Sequence, residues 1–162
     1  MLTRIPIAIG TASANAAHAK DLGRIYPYNG NLYRVTKAGA AIAAAASKTL
    51  VTALSSGVPT WSVNTTTTAN NWLVAGVVPA GQKGSSGTTG LLSGDYFMLQ
   101  VSGPTKVISA AAIADGGLVG TSTTAGKVDD ASVTAGVGAM GVALEAASAG
   151  DETIDVLLKG LV

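Results

Sequence analysis

Apolar residues in this 162-residue chain come in short clusters rather than in helical or membrane-length runs. Leu32-Tyr33-Arg34-Val35, Thr49-Leu50-Val51, Trp72-Leu73-Val74, Tyr96-Phe97-Met98-Leu99-Gln100-Val101, Lys106-Val107-Ile108 and Thr153-Ile154-Asp155-Val156-Leu157-Leu158 each read as a strand. Gly, Asn, Asp or Ser-Gly separates most of them. Many brief strands with such punctuation predict an all-β fold, a short-stranded barrel or sandwich. Asn29-Gly30 between Ile25-Tyr26 and Leu32-Tyr33 predicts a tight hairpin, because Asn-Gly supplies the positive φ that a two-residue reverse turn needs. The Ala-rich stretch at 38–46 has helix-forming composition, but it carries Gly39 near its start and stops at Ser47, too short to stand as a helix.

The order of these features recurs. Lys37-Ala38-Gly39-Ala40-Ala41-Ile42 leads to Leu50-Val51, Gly76-Val77-Val78, then Gly94-Asp95 and a strand. Ala111-Ala112-Ile113 leads to Leu118-Val119, Gly141-Val142-Ala143, then Gly150-Asp151 and a strand. Two related β halves follow from this, with residues 81–90 extra in the first copy and a last strand that differs by one residue, which a bulge would absorb. The chain divides on this reading into an N-terminal arm at 1–20, a first β-rich half at 21–80, a Gly/Ser/Thr-rich loop or linker at 81–90, and a second β-rich half at 91–162. The polar stretch at 64–71, with its run of four threonines, reads as a loop.

The arm has its own pattern. Ile5, Ile7 and Ile9 alternate with Pro6 and Ala8, so an extended conformation puts three isoleucines on one face, to cover a neighbouring subunit or to fold back on the chain's own sheet. A signal-peptide reading fails because the apolar core spans about five residues and contains a proline, against the roughly 7–15 required. An intracellular product is expected.

Composition sharpens the picture. Cysteine is absent, so burial must hold the fold without disulfides. At this length roughly 68–70% of the unfolded chain's surface is buried on folding, which is ample for a core. Charged residues are 12% of the chain, about half the ~25% of ordinary soluble domains, and mean hydropathy is +0.41. Such a neutral, hydroxyl-rich surface suits a protein covered by neighbours in an assembly. Charge is also lopsided: residues 1–83 hold seven basic and one acidic residue, net +6, and residues 84–162 hold three basic and eight acidic, net −5. Head-to-tail packing of subunits would use that polarity. The basic residues stand singly with no aromatic interleaving beyond Tyr26, Tyr28 and Tyr33, which argues against a nucleic-acid face, and no apolar run approaches the ~18 residues of a membrane helix.

Candidate chemistry is thin. His18 is the single histidine, and no Gly-x-Ser-x-Gly motif surrounds the nearby Ser13, so packing or an interface hydrogen bond is its expected role. Asp129-Asp130 and Asp151-Glu152 with Asp155 lack the spacing of a calcium loop, and no His or Cys cluster exists for a transition metal. Gly136-x-Gly138-x-x-Gly141 fits the dinucleotide spacing but lacks the strand and crossover helix that give it meaning. Asp95 and Asp151 each follow a glycine and precede a strand, the usual place for an Asx-type turn. No cofactor, metal or catalytic residue is assigned. Trp61 and Trp72 flank the Thr-rich loop as core or interface anchors, or as platforms for sugar rings.

Two stretches carry a resemblance. Asp21-Leu22-Gly23-Arg24-Ile25-Tyr26 with the segment Asn29-Gly30-Asn31-Leu32-Tyr33-Arg34-Val35, and Gly141-Val142-Ala143 through Gly150-Asp151 to Val156-Leu157-Leu158, resemble capsid decoration (cement) proteins of tailed phages. That resemblance implies a β-rich module, made in the host cytoplasm, that binds the major capsid protein on the outer surface of the phage head and stabilises the shell. It implies no enzyme activity. It also favours a homotrimer over a dimer. No individual site residue follows from it; the residues' own character makes Arg4, Ile5, Ile7, Ile9, Arg24, Arg34, Trp61 and Trp72 the candidate capsid or subunit contacts. The alternative function is a virion adhesin or carbohydrate-binding module.

Overall fold

A computed structural model of the chain describes residues 5–43, 50–56, 61–65, 74–131 and 139–159. Its fold is all-β. Strands β1 (Ala12–Ser13), β2 (Ile25–Tyr28), β3 (Asn31–Ala38), β4 (Leu50–Ser56), β5 (Ser62–Thr65), β6 (Val74–Val78) and β7 (Tyr96–Ile108) are followed by β8 (Leu118–Thr121), β9 (Val128–Asp130), β10 (Ala139–Ala143) and β11 (Thr153–Leu158). A two-turn 3-10 element, Ala16–Asp21, separates β1 from β2. The signals at 96–101 and 106–108 belong to one strand of 13 residues, β7. Asn64 and Thr65 close β5 rather than opening a loop. Residues 44–49, Trp72 and the rest of the Thr-rich stretch lie outside the described residues.

The predicted hairpin forms between β2 and β3, with Tyr28 paired to Asn31 across Asn29 (φ 46°) and Gly30 (φ 79°). Both central residues are left-handed, as the twist-matched turn demands. β2 ends the strand order, with β3 as its neighbour, and contains Pro27, a residue without an N–H that blunts an edge against further pairing.

Pairing divides the rest into two units. In the first, β3 pairs parallel with β5, β5 antiparallel with β4, β4 with β6, β6 with β7, and β7 returns to β3. In the second, the end of β7 pairs with β11, then β11 with β10, β10 with β8 and β8 with β9. A parallel bridge from Val128 to Ser109 closes that circuit at the same point, and with the same sense, as β5 closes the first.

The same backbone hydrogen bonds recur in the two units. The Ala38 amide donates to the Asp95 carbonyl and the Gly94 amide to the Ala38 carbonyl, both at 2.8 Å; Ser109 makes the same bonds with Glu152 and Asp151, also at 2.8 Å. Ile42 exchanges two backbone bonds with Leu91, as Ile113 does with Ala147. The sequence match of Asp95 with Asp151 is therefore displaced by one: Asp95 corresponds to Glu152. The extra residue sits in the turn ahead of β11, where Asp151 takes φ 67°, and not in a strand bulge. Residues 81–90 form a hairpin on the first unit, with the Gly90 amide donating to Gln82 and the Gly84 amide to Thr88, each at 2.9 Å.

The first unit's core joins Ala38, Ile42, Val63, Phe97, Leu99 and Val101; the second joins Val107, Val119, Met140, Ile154 and Val156. Val77 of β6 belongs to the second core, so the units share side-chain packing as well as a strand. A third cluster lies outside the first unit: Tyr33, Val35, Tyr96 and Met98, on the other faces of β3 and β7, meet Ile7 and Tyr26. Alternation along β7 thus splits its side chains, Phe97 and Leu99 inward, Tyr96 and Met98 outward.

Equivalent glycines sit where strands approach most closely. A Cβ on Gly76 would overlap the Gln100 carbonyl oxygen, and one on Gly141 the Leu157 carbonyl oxygen. Gly76→Ala and Gly141→Ala should each lower unfolding free energy by about 1–3 kcal/mol, measured by urea denaturation. Unchanged midpoints in both variants would contradict the close approach.

Candidate interaction surfaces

The described part of the arm lies on its own chain. Ile7 is 5% exposed in the third cluster, and Ile5, Ile9 and Leu22 pack against it half-buried. The expected extended conformation does not form. Residues 6–10 bend, the Thr11 amide and hydroxyl both donate to the Ala8 carbonyl (3.1 and 2.7 Å), and Gly10 takes φ 81°. The cause is local: Pro6 offers no N–H to a ladder, and the turn at Gly10 reverses the chain. Further on, the Lys83 amide donates to the Gly10 carbonyl at 2.9 Å, and β1 pairs with the start of β7, fixing the arm at two more points. Asn15 caps the 3-10 element through the Ala17 amide at 2.9 Å.

Between the arm and the hairpin an open cleft of about 670 Å³ is lined by Ile5, Pro6, Ala8, Ile9 and Tyr28. Beside it, Ile25 and Tyr28 are 38% and 45% exposed. On the second unit Leu144 and Leu157 are also exposed, as is Leu92 on the first. Periodicity missed these outward residues, because a short strand's pattern shows that faces alternate without saying which face is covered.

Arg34, Trp61 and Gly23 form one packed group. The Arg34 guanidinium lies 4.2 Å from the Trp61 ring centroid, buried, and desolvation holds its pKa below the ordinary arginine value. Trp61 takes φ 43°, accepts the Lys37 amide at 3.0 Å, and seats its indole where a Cβ on Gly23 would be. Trp61 is thus a half-buried wedge rather than an open platform. Arg24 is exposed and pairs with buried Asp21 at 3.2 Å. Arg4 and Trp72 lie outside the described residues.

The remaining polar groups hold turns. Asp95 is buried and accepts the Ser85 and Leu92 amides at 3.0 and 2.9 Å, gripping residues ahead of it rather than forming its own Asx turn. Glu152, its counterpart, accepts the Ser148 hydroxyl at 2.6 Å and the Ser148 and Ala149 amides at 3.0 and 3.2 Å. The Ser148 hydroxyl bond is the main cause that lowers the Glu152 pKa below the ordinary carboxylate range. Lys127 pairs with Asp151 at 2.6 Å. Lys106 pairs with Asp155 at 2.9 Å, a bond that raises the lysine pKa.

His18 is half-buried with its ring 6.3 Å from that of Tyr96 and tilted by 50°, while the Ser13 hydroxyl oxygen accepts the Asn15 amide at 3.1 Å. The two are engaged separately in local packing and capping. No group of three or more His, Cys, Asp or Glu suited to a metal occurs among the described residues. No helix among them is long and apolar enough to cross a membrane.

No protein-family model matches the chain, and no curated protein matches it. Among solved structures, the crystal structure of the head fiber gp8.5 N base in bacteriophage phi29 is similar, with a TM-score of 0.49 and 14% identity over 78% of this chain and 92% of that one.

The arm's packing predicts that Ile7→Ala lowers stability by about 2–4 kcal/mol, seen as a shifted urea midpoint; a midpoint within error of the parent would show the arm to be energetically idle. Because the folded pKa of Glu152 is depressed, its contribution is fully present above the ordinary glutamate range and is lost as pH falls through the lowered value. Glu152→Gln should therefore flatten the acid limb of a melting-temperature profile and leave its shape unchanged near neutral pH.

Proposed function

We propose that the chain is a structural protein of a phage head, a decoration protein that binds the major capsid protein on the outer surface and reinforces the shell without catalysis. The observation that carries this reading is the surface. A chain with 12% charged residues leaves Ile25, Tyr28, Leu92, Leu144 and Leu157 exposed, and its buried Asp95 and Arg34 serve turns and packing. Apolar side chains open to water on a charge-poor body favour association over solvation. The residues behind the cement-protein resemblance are likewise structural: Asn29-Gly30 makes a turn, and Gly141 a close strand approach. Resemblance carried by scaffold positions suits a function spread over a surface. On the same reading the protein assembles as a ring, a trimer in preference to a dimer, with the basic first half of one copy against the acidic second half of the next.

Co-sedimentation with assembled shells tests the proposal. Wild type should saturate regular sites, and Ile25→Ser/Tyr28→Ser should bind roughly tenfold or more weakly, since central apolar anchors carry most of an interface's energy. Retained binding of a free glycan with no binding to shells would sink the decoration reading in favour of an adhesin. Light scattering across a salt series reads the subunit count, and a monomer under all conditions would remove the trimer.

A further inference from the structure

The duplication makes it possible to compare one surface in two states. Each unit contains a two-stranded ladder, β3 with the start of β7 in the first and the end of β7 with β11 in the second. Registers correspond pair for pair: Val35 opposite Met98 becomes Lys106 opposite Asp155, and Tyr33 opposite Gln100 becomes Pro104 opposite Leu157. These residues point away from each unit's core. In the first unit that outward face is covered by Ile5, Ile7, Ile9 and Leu22, and Val35 and Met98 are both 0% exposed. In the second, the side chains of Lys106 and Asp155 are 59% and 44% exposed and paired with one another.

From this correspondence we infer that the outward ladder face is a binding site for a short apolar segment, present in both units, and that its central cross-strand pair decides whether it is used. Val35–Met98 accepts the chain's own isoleucine-rich segment; Lys106–Asp155 refuses it. The physical reason is desolvation. Covering Val35 and Met98 removes apolar area from water, which is favourable. Covering Lys106 and Asp155 strips water from two charges whose mutual attraction does not repay that cost without further hydrogen bonds, which isoleucines cannot supply. Exposed Leu157 and Pro104 beside the pair supply apolar area, so the refusal rests on the charges and not on a lack of surface. The pair therefore directs the segment to one of two similar faces, on its own chain and on every other copy, and keeps the second unit's face in water.

The test uses the full chain carrying Lys106→Val/Asp155→Met, both positions exposed, and a labelled synthetic peptide of residues 1–13. Fluorescence anisotropy measures affinity, and amide chemical-shift changes at Val142 and Leu157 report the second face. The double variant should bind one peptide per chain there, at least tenfold more tightly than wild type. The exchanged pair Lys106→Asp/Asp155→Lys, which keeps the charges, should refuse it as wild type does. Failure of the folded double variant to bind the peptide, or equal binding at these residues by wild type or the exchanged variant, would overturn the inference.

Discussion

β7 carries the hydrogen bonds on which both units depend. Its first half pairs with β3 and its second half with β11, and the handover falls at Ser102 and Gly103, where φ is 96° and a side chain would overlap the Asn31 carboxamide oxygen. One continuous strand therefore serves as the closing strand of one circuit and the opening strand of the next. Two modules joined by a flexible connector would have independent orientations, whereas a shared ladder gives each unit's register to the other. Val77 reinforces the union by reaching from β6 into the second core.

The two units are alike inside and differ on the surface. Their inward faces are constrained alike, and both are filled largely by Val, Ile, Leu and Ala, with Phe97 added in the first and Met140 in the second. The turn-holding carboxylate is kept too, as Asp95 in one and Glu152 in the other, with the longer side chain spanning a turn that is one residue longer. Outward faces carry no such constraint. There the first unit became a seat for the arm, and the second a solvated face with an ion pair. Covering one ladder and wetting the other leaves two equivalent faces that differ chemically.

The aromatic and cationic residues fall into a similar division. Trp61 and Arg34 stabilise each other in a half-buried stack whose geometry depends on Gly23 having no side chain. Tyr28, on an exposed hairpin, lines the arm cleft and stays open to water. Large aromatics bury a big apolar area wherever they lie, so composition alone does not separate a packing wedge from an interface anchor.

Much of the fold was determined by local sequence. Period-two alternation with turn punctuation specified strands at 32–35, 96–101 and 153–158, and Asn29-Gly30 specified its own turn, because these depend on backbone preferences acting over a few residues. Tertiary structure decided what depends on contacts distant in sequence. It joined 96–101 and 106–108 into one strand, aligned Glu152 rather than Asp151 with Asp95, bent the arm onto Val35 and Met98, and placed Ile25 and Tyr28 in water. Alternation says that Val35 and Lys106 each face one side of a sheet; only the segments packed or not packed on that side decide that one is core and the other surface.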